Sequence, residues 1–387
     1  MRWLRAGGMV VTAVVVAGCG GSSAAPQAQL PADAPGGSGG AGGSGSSGGS
    51  GSSGSSGGSL DGGCKSLCDC IEPCPTKPLP PAAGPPLTLA ITKLGFPDVD
   101  GNGIADPTSL WRGAFNLDGL AFPTPTTIGH CKPYAGAKPS DVVVDGPDGV
   151  DNSFGRNLWP ITVGLASDAA AMLAAAIAAG QGTLVIRLAA LGAAADQGEI
   201  ASALFVARGT VDAAGLPVPP NDWATYAWHP IAPWDNALAP GVPTTTSAAW
   251  TDGWMVARTW VSGARTDLPF WFQAGSGQDS RLVLHRAVVS ATIASDGKSA
   301  TGRIGGVLAV TELLWAMSVL GPCSSGLCPS HEPFRQAADM IRDATQDPEK
   351  TCDGISMAVT FEATVSTLSA EPAAAPLKNM PCCPPSP

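Results

Sequence analysis

The sequence predicts a mainly β chain: a single β-sandwich-like domain with a few peripheral helices, preceded by a disordered tether, with an α+β roll as the alternative. Two runs carry the class. Near the end, Ile355, Met357, Val359, Phe361, Ala363 and Val365 alternate with Ser356, Thr360, Glu362 and Thr364, the period of two of a strand with one buried face. Further back, Ala287, Val289, Ala291 and Ile293 share a face of residues 282–294, and Asp296-Gly297 then turns the chain into residues 300–304 as a hairpin. The apolar phase slips at His285-Arg286, which predicts a bulge. A third observation sets the domain count: residues 87–370 hold neither a linker-like break nor a repeat.

The elements follow in chain order. Residues 1–18 place Arg2 and Arg5 before an apolar run of about a dozen residues, which has the form of a signal peptide and falls short of the ~20 residues that span a bilayer. Val16-Ala17-Gly18-Cys19 resembles the lipobox of bacterial lipoproteins. That resemblance implies diacylation of the Cys19 thiol, cleavage before Cys19, acylation of the new amino terminus, and so the bilayer as a partner. Several acyl chains on one residue anchor stably, since each buried methylene contributes about 0.8 kcal/mol. Gly20, rather than Asp, after the cysteine implies the outer membrane of a diderm bacterium, on its periplasmic or surface face.

Residues 19–63 are almost wholly Gly, Ser, Ala and Pro. Such a composition cannot offset the entropy of ordering, so a disordered tether is expected, with a span on the order of 35 Å. Gly36-Gly37-Ser38-Gly39-Gly40 satisfies G-x-S-x-G but has no strand before it and no helix after it; it is a low-complexity accident. Residues 64–86 read as a Cys- and Pro-rich stalk, extended because proline fixes φ. Residues 371–387 form a Pro- and Cys-rich tail.

Of eleven cysteines, Cys19 is set aside for the lipid; an even remainder in an exported chain predicts up to five disulfides. They are Cys64, Cys68, Cys70 and Cys74, then Cys131, then Cys323, Cys328 and Cys352, then the vicinal Cys382-Cys383. Spacing leaves their connectivity open.

Within the domain, weaker strand signals lie at residues 183–188, 201–207 and 254–261. In the last, Trp254 and Trp260 are expected on one face of one strand. Ser167 or Asp168 can cap an Ala-rich helix that Gly180 ends. Thr311 can cap a second, with Leu313, Leu314, Met317 and Leu320 on one side, and Phe334, Ala338 and Ile341 mark a third.

The sharpest chemical motif runs from Asp98 to Asp106. Asp98, Asp100 and Asn102 put side-chain oxygens two apart, Gly103 allows a sharp turn, Ile104 offers its carbonyl, and Asp106 adds a carboxylate. These match the first nine places of an EF-hand-like calcium loop, and resemble dockerin and thrombospondin-type loops that lack flanking helices. The twelfth place is Ser109 instead of a bidentate Glu, so another segment must complete the shell or binding is weak. Asp145, Asp148 and Asp151 recur every three residues, which suits turns better than an EF-hand but could supply missing ligands. Calcium is thus the one expected cofactor.

These two acidic loops, with Asn152-Ser153-Phe154-Gly155 and Cys352-Asp353-Gly354-Ile355-Ser356, resemble a group of uncharacterised lipoproteins of myxobacterial type over most of residues 95–365. The resemblance brings no activity with it. Seven of the eleven tryptophans fall between Trp223 and Trp271, and core packing accounts for most of them. Trp228 and Trp234, in a Pro-rich loop, are the candidates for a ligand platform. Histidines number four and form no metalloprotease motif; glutamates form no close pair. No phosphate-binding loop follows a strand. The net charge of −10 and dispersed Lys and Arg argue against nucleic acid. The expectation is a lipid-anchored envelope protein that binds a glycan or protein and is calcium-stabilised, with an extracellular polysaccharide hydrolase or a purely structural role as alternatives.

Overall fold

The computed structural model describes residues 71–122, 124, 129–135, 144–165, 167–213, 217–231, 248–273, 279–320 and 332–370. Cys19, the tether, Trp234 and the cysteines other than Cys74, Cys131 and Cys352 lie outside the described residues. The chain is mainly β. Its strands are β1 (Leu87–Gly95), β2 (Thr183–Leu188), β3 (Gln197–Arg208), β4 (Ala227–Pro230), β5 (Ala248–Val256), β6 (Thr259–Val261), β7 (Thr266–Gln273), β8 (Asp279–Ile293), β9 (Ser299–Ala309), β10 (Gly354–Val365) and β11 (Thr367–Leu368).

Eight of them close into a barrel, in the order β1-β2-β3-β5-β6-β8-β9-β10 and back to β1. β4 extends from one end of β3, β11 pairs with β4, and β7 pairs with β8 outside the ring. A closed barrel replaces the expected pair of facing sheets. Alternation of apolar and polar residues is the same in both architectures; closure depends on bends, and these come from bulges. The register slips between Ile91 and Lys93, between Gln197 and Ser202, and between His285 and Val288. The slip at His285 is the bulge the sequence predicts, and Arg286 there takes φ 54.

The lumen is filled by apolar side chains. Leu89, Ile186, Ile200, Leu204, Trp260 and Ile304 are all nearly or fully buried and belong to one cluster. Burial of each such side chain contributes roughly 1.5–3 kcal/mol. The outer wall is covered in two places. Val261, Val288 and Val307 face Ile71, Phe115 and Leu117, whereas Ala90, Val185 and Phe205 face Trp228.

Trp254 and Trp260 do not share a strand face. Ala257 and Arg258 both take positive φ, 49 and 66, and fold the segment into a tight hairpin that pairs Met255 with Trp260. Trp260 enters the lumen cluster; Trp254 packs on the outer cluster and donates its Nε1–H to the Pro73 carbonyl at 2.7 Å. The turn lacks the Asn-Gly signature of such hairpins, which hid it from the sequence.

The Pro-rich segment lies along the barrel at Pro80–Ala82. Gly198 N donates to Pro80 O and Ala82 N to Gly198 O, at 2.8 and 2.9 Å. The helices are α1 (Pro107–Leu110), α2 (Trp159–Leu165) preceded by a π-helical turn (Phe154–Leu158), α3 (Ala169–Ala178), α4 (Val310–Leu320) and α5 (Glu332–Gln336). α3 buries Ala169, Leu173, Ala176 and Ile177, one helical face, and Gly180 ends it at φ 76. α4 runs straight on from β9 and buries Val310, Leu313 and Leu314. The third helix is shorter than the sequence predicts: α5 ends at Gln336, and Ile341 instead bridges to Thr345.

Candidate functional site: a polar groove on the barrel wall

A groove with a volume of about 710 Å³ runs over the outer face of β6, β8, β9, β10 and the end of β1. Its floor is a row of outward side chains in hydrogen-bonding register: Thr259 opposite Thr292, Thr292 opposite Thr301, Thr301 opposite Glu362, and Glu362 opposite Lys93. Alternation forces them outward, because Trp260, Ile293, Ala300, Phe361 and Ala363 beside them are buried in the lumen cluster. Two links preorganise the row. Thr259 and Thr292 hydroxyls lie 2.9 Å apart, and Lys93 Nζ donates to Glu362 Oε1 at 2.9 Å. Arg303, one row along, lies 4.2 Å over the Phe115 ring and donates to Ala114 O.

The overhanging wall is Phe96–Asp98 with Ser109, Leu110, Arg112 and Gly113, the two ends of the segment that carries the Asp98–Asp106 loop. Val99 bridges Ala105, and Asp106 N donates to Asp98 O at 2.7 Å, so the segment is a small hairpin. Asp100 Oδ1 accepts from Asn102 N and Ile104 N, both at 2.9 Å, and these bonds, the Ile104 one first, hold its carboxyl below its ordinary value. The Ile104 carbonyl accepts from Asp100 N, and the Ile104 side chain is 62% exposed. Asp106 caps α1 by accepting from Ser109 N at 2.9 Å. Ser109 Oγ in turn accepts from Asp98 N. Among the described residues no three His, Cys, Asp or Glu side chains are grouped so as to hold a metal ion, and this loop closes on its own hydrogen bonds.

Asn152 joins the groove to a buried acidic cluster. Its amide donates to Leu110 O in the wall and its Oδ1 accepts from Ala358 N on β10. The next residue, Ser153, donates N–H to Ser356 Oγ at 2.8 Å, and that hydroxyl donates to Asp339. The Asn152-Ser153-Phe154-Gly155 motif is therefore a buried joint; a Cβ on Gly155 would lie 2.5 Å from the Asn152 amide.

Asp151, on the other side of Asn152, is wholly enclosed. Its Oδ2 accepts from Leu117 N at 2.6 Å, and Asp145, Asp118 and Asp339 act on it electrostatically. Burial first, then these like charges, raise its pKa well above the ordinary value. Asp145 and Asp339 are pushed up to about 7, burial again leading, and Asp118 is raised for the same first reason. Asp118 is fully buried, accepting from Gln346 Nε2 at 2.8 Å. Arg265 is drawn to the group and donates to Leu117 O, but burial lowers its own pKa to about 10.

The structure thus unites Asp145 with Asp151 and leaves Asp148 apart, exposed at φ 60. Their electrostatic partners are Asp118 and Asp339, not the Asp98 loop. Trp228 is fully buried, stacked 5.7 Å from Trp223 and edge-on to Tyr226, so it presents no face to a ligand here. Asp118, Asp339, Gln346 and Arg265 had no local signal, because only tertiary folding brings them together. The threonine row did have one: Thr292 and Thr301 sit at polar positions of the strongest predicted hairpin. Cys131 and Cys352 are disulfide-bonded with Cα atoms 5.1 Å apart, and Cys74 is bonded to a partner outside the described residues. Comparison with protein-family models, curated proteins and solved structures finds no match to this chain.

Proposed function

We propose that this is a lipid-anchored envelope protein whose barrel is a non-enzymatic binding module, with the wall groove as the site and a glycan as the ligand. The lipobox at Cys19 and the Gly/Ser-rich tether support the address. The groove supports the binding role: three cationic side chains (Lys93, Arg112, Arg303) and three anionic ones (Glu72, Asp98, Glu362) line it, so its formal charge cancels. Threonine and serine hydroxyls lie between them. Balanced charge and many short donors and acceptors suit a polyhydroxylated, uncharged ligand better than a polyanion or polycation.

The test is calorimetric titration of the full-length protein with neutral soluble oligosaccharides, with Arg112→Ala and Asp98→Ala as site controls. Saturable binding that both substitutions weaken is expected. Absence of binding to every glycan tried overturns the reading, as does turnover that disappears on changing one acidic side chain. Incorporation of a palmitate analogue, lost in Cys19→Ala, tests the anchor.

A further inference from the structure

We infer that the groove takes a linear, uncharged glycan whose rings are joined in an extended, equatorial linkage, laid across the strands instead of along them. This rests on the proposed glycan-binding role and adds the shape of the ligand. The floor row crosses five strands from Thr259 through Thr292, Thr301 and Glu362 to Lys93. Neighbouring strands lie about 4.8 Å apart, so the row offers one polar side chain per ~4.8 Å over roughly 19 Å. That pitch is about the length of one pyranose ring in an extended chain. Each ring would then meet one rung, and about four to five rings would fill the row.

The pitch also separates ligand classes. An extended peptide turns side chains to one face every ~6.8 Å, twice its rise per residue, and falls out of step with the rungs after one repeat. An axially linked glycan coils tightly and cannot keep successive rings in step with the rungs. Charge points the same way, since the lining cancels formally and its Lys93–Glu362 rung is already paired at 2.9 Å. The rungs are set before binding by that pair and by the Thr259–Thr292 contact, which reduces the ordering cost of association.

The experiment is calorimetric titration of the full-length protein with β-1,4-linked glucose oligomers of increasing length, against the α-1,4-linked series. Affinity is expected to rise with each ring up to about four or five and then level off, with the α-linked series at least about tenfold weaker. Thr301→Val keeps shape and strand preference while deleting one rung's hydroxyl; it should weaken the longest β-linked oligomer about fivefold. Binding without a length plateau or linkage preference, or displacement by an extended peptide, overturns the inference and leaves the glycan-binding role standing. If neither series binds while some other glycan does, the inference also falls. If no glycan of any kind binds, the proposed role itself is what has failed.

Discussion

His285 Nε2 lies 3.1 Å from Glu312 Oε1, joining the bulge of β8 to the first turn of α4. The other ring nitrogen lies 3.1 Å from Asp267 Oδ2 on β7, so one imidazole bridges two carboxylates and three elements. Arg286 is the neighbouring cation on β8, and its backbone N–H donates to Asp267 Oδ1.

The hydrogen bond that the imidazolium donates to Glu312, ahead of the burial that opposes it, raises the His285 pKa above its ordinary value. The stability this contributes is fully present below pH ~6.5 and is lost as pH rises through the raised folded value. His285→Gln should therefore lower Tm by roughly 2–4 °C at pH 6, the size of about 1 kcal/mol in a large domain, with the difference shrinking by pH 9. A difference that is constant between pH 5 and pH 9 would mean that the imidazole acts by packing alone.

Asp145, Asp151 and Asp339 carry raised pKa values, two of them about 7, so the folded form holds protons that the unfolded chain releases near pH 4. The sign is again loss of stability as pH rises, here from about 4 to about 7. Thermal unfolding should show Tm falling across that window. Asp151→Asn keeps an acceptor for Leu117 N and removes a buried charge. It should raise Tm at pH 8 and change it little at pH 5; a fall at pH 8 would show that the ionised group is needed.

The Cys131–Cys352 bond closes a loop across 221 positions. Replacing both cysteines by alanine should cost roughly 2–5 kcal/mol in urea unfolding. Both proteins should be unfolded without a reductant, so that only this link is varied.

Asp100 accepts two backbone N–H groups within its own turn. Asp100→Ala should lower Tm slightly, and equally in EDTA and in millimolar calcium. If calcium raises the wild-type Tm and fails to raise the variant's, the spacing of oxygens from Asp98 to Asp106 is a cation site.

Period-two alternation made β10 and the β8–β9 hairpin legible, because half-buried strands write their faces directly into sequence. Closure was not legible. It depends on the pairing of β1 with β10, such as Lys93 with Glu362 at a separation of 269 residues, and no local pattern specifies a partner so distant. The β5–β6 turn escaped because Ala257 and Arg258 adopt conformations usually left to glycine and asparagine. Asp145 and Asp151 were visible as an acidic pair. Their partners Asp118 and Asp339 come from other segments and look, in isolation, like turn and loop aspartates.

The pairing of β1 with β10 has a consequence for how the chain is made. β10 is synthesised after both β1 and β9, yet it supplies the missing neighbour of each. Until residue 365 has emerged, two long strand edges wait unpaired, and neither can be completed by anything already synthesised. Such distant pairing folds slowly and exposes edges to neighbouring chains in the interval. A nascent barrel of this order is therefore a natural client for a holding chaperone, and truncation a few residues before Gly354 should yield aggregates instead of a smaller folded product.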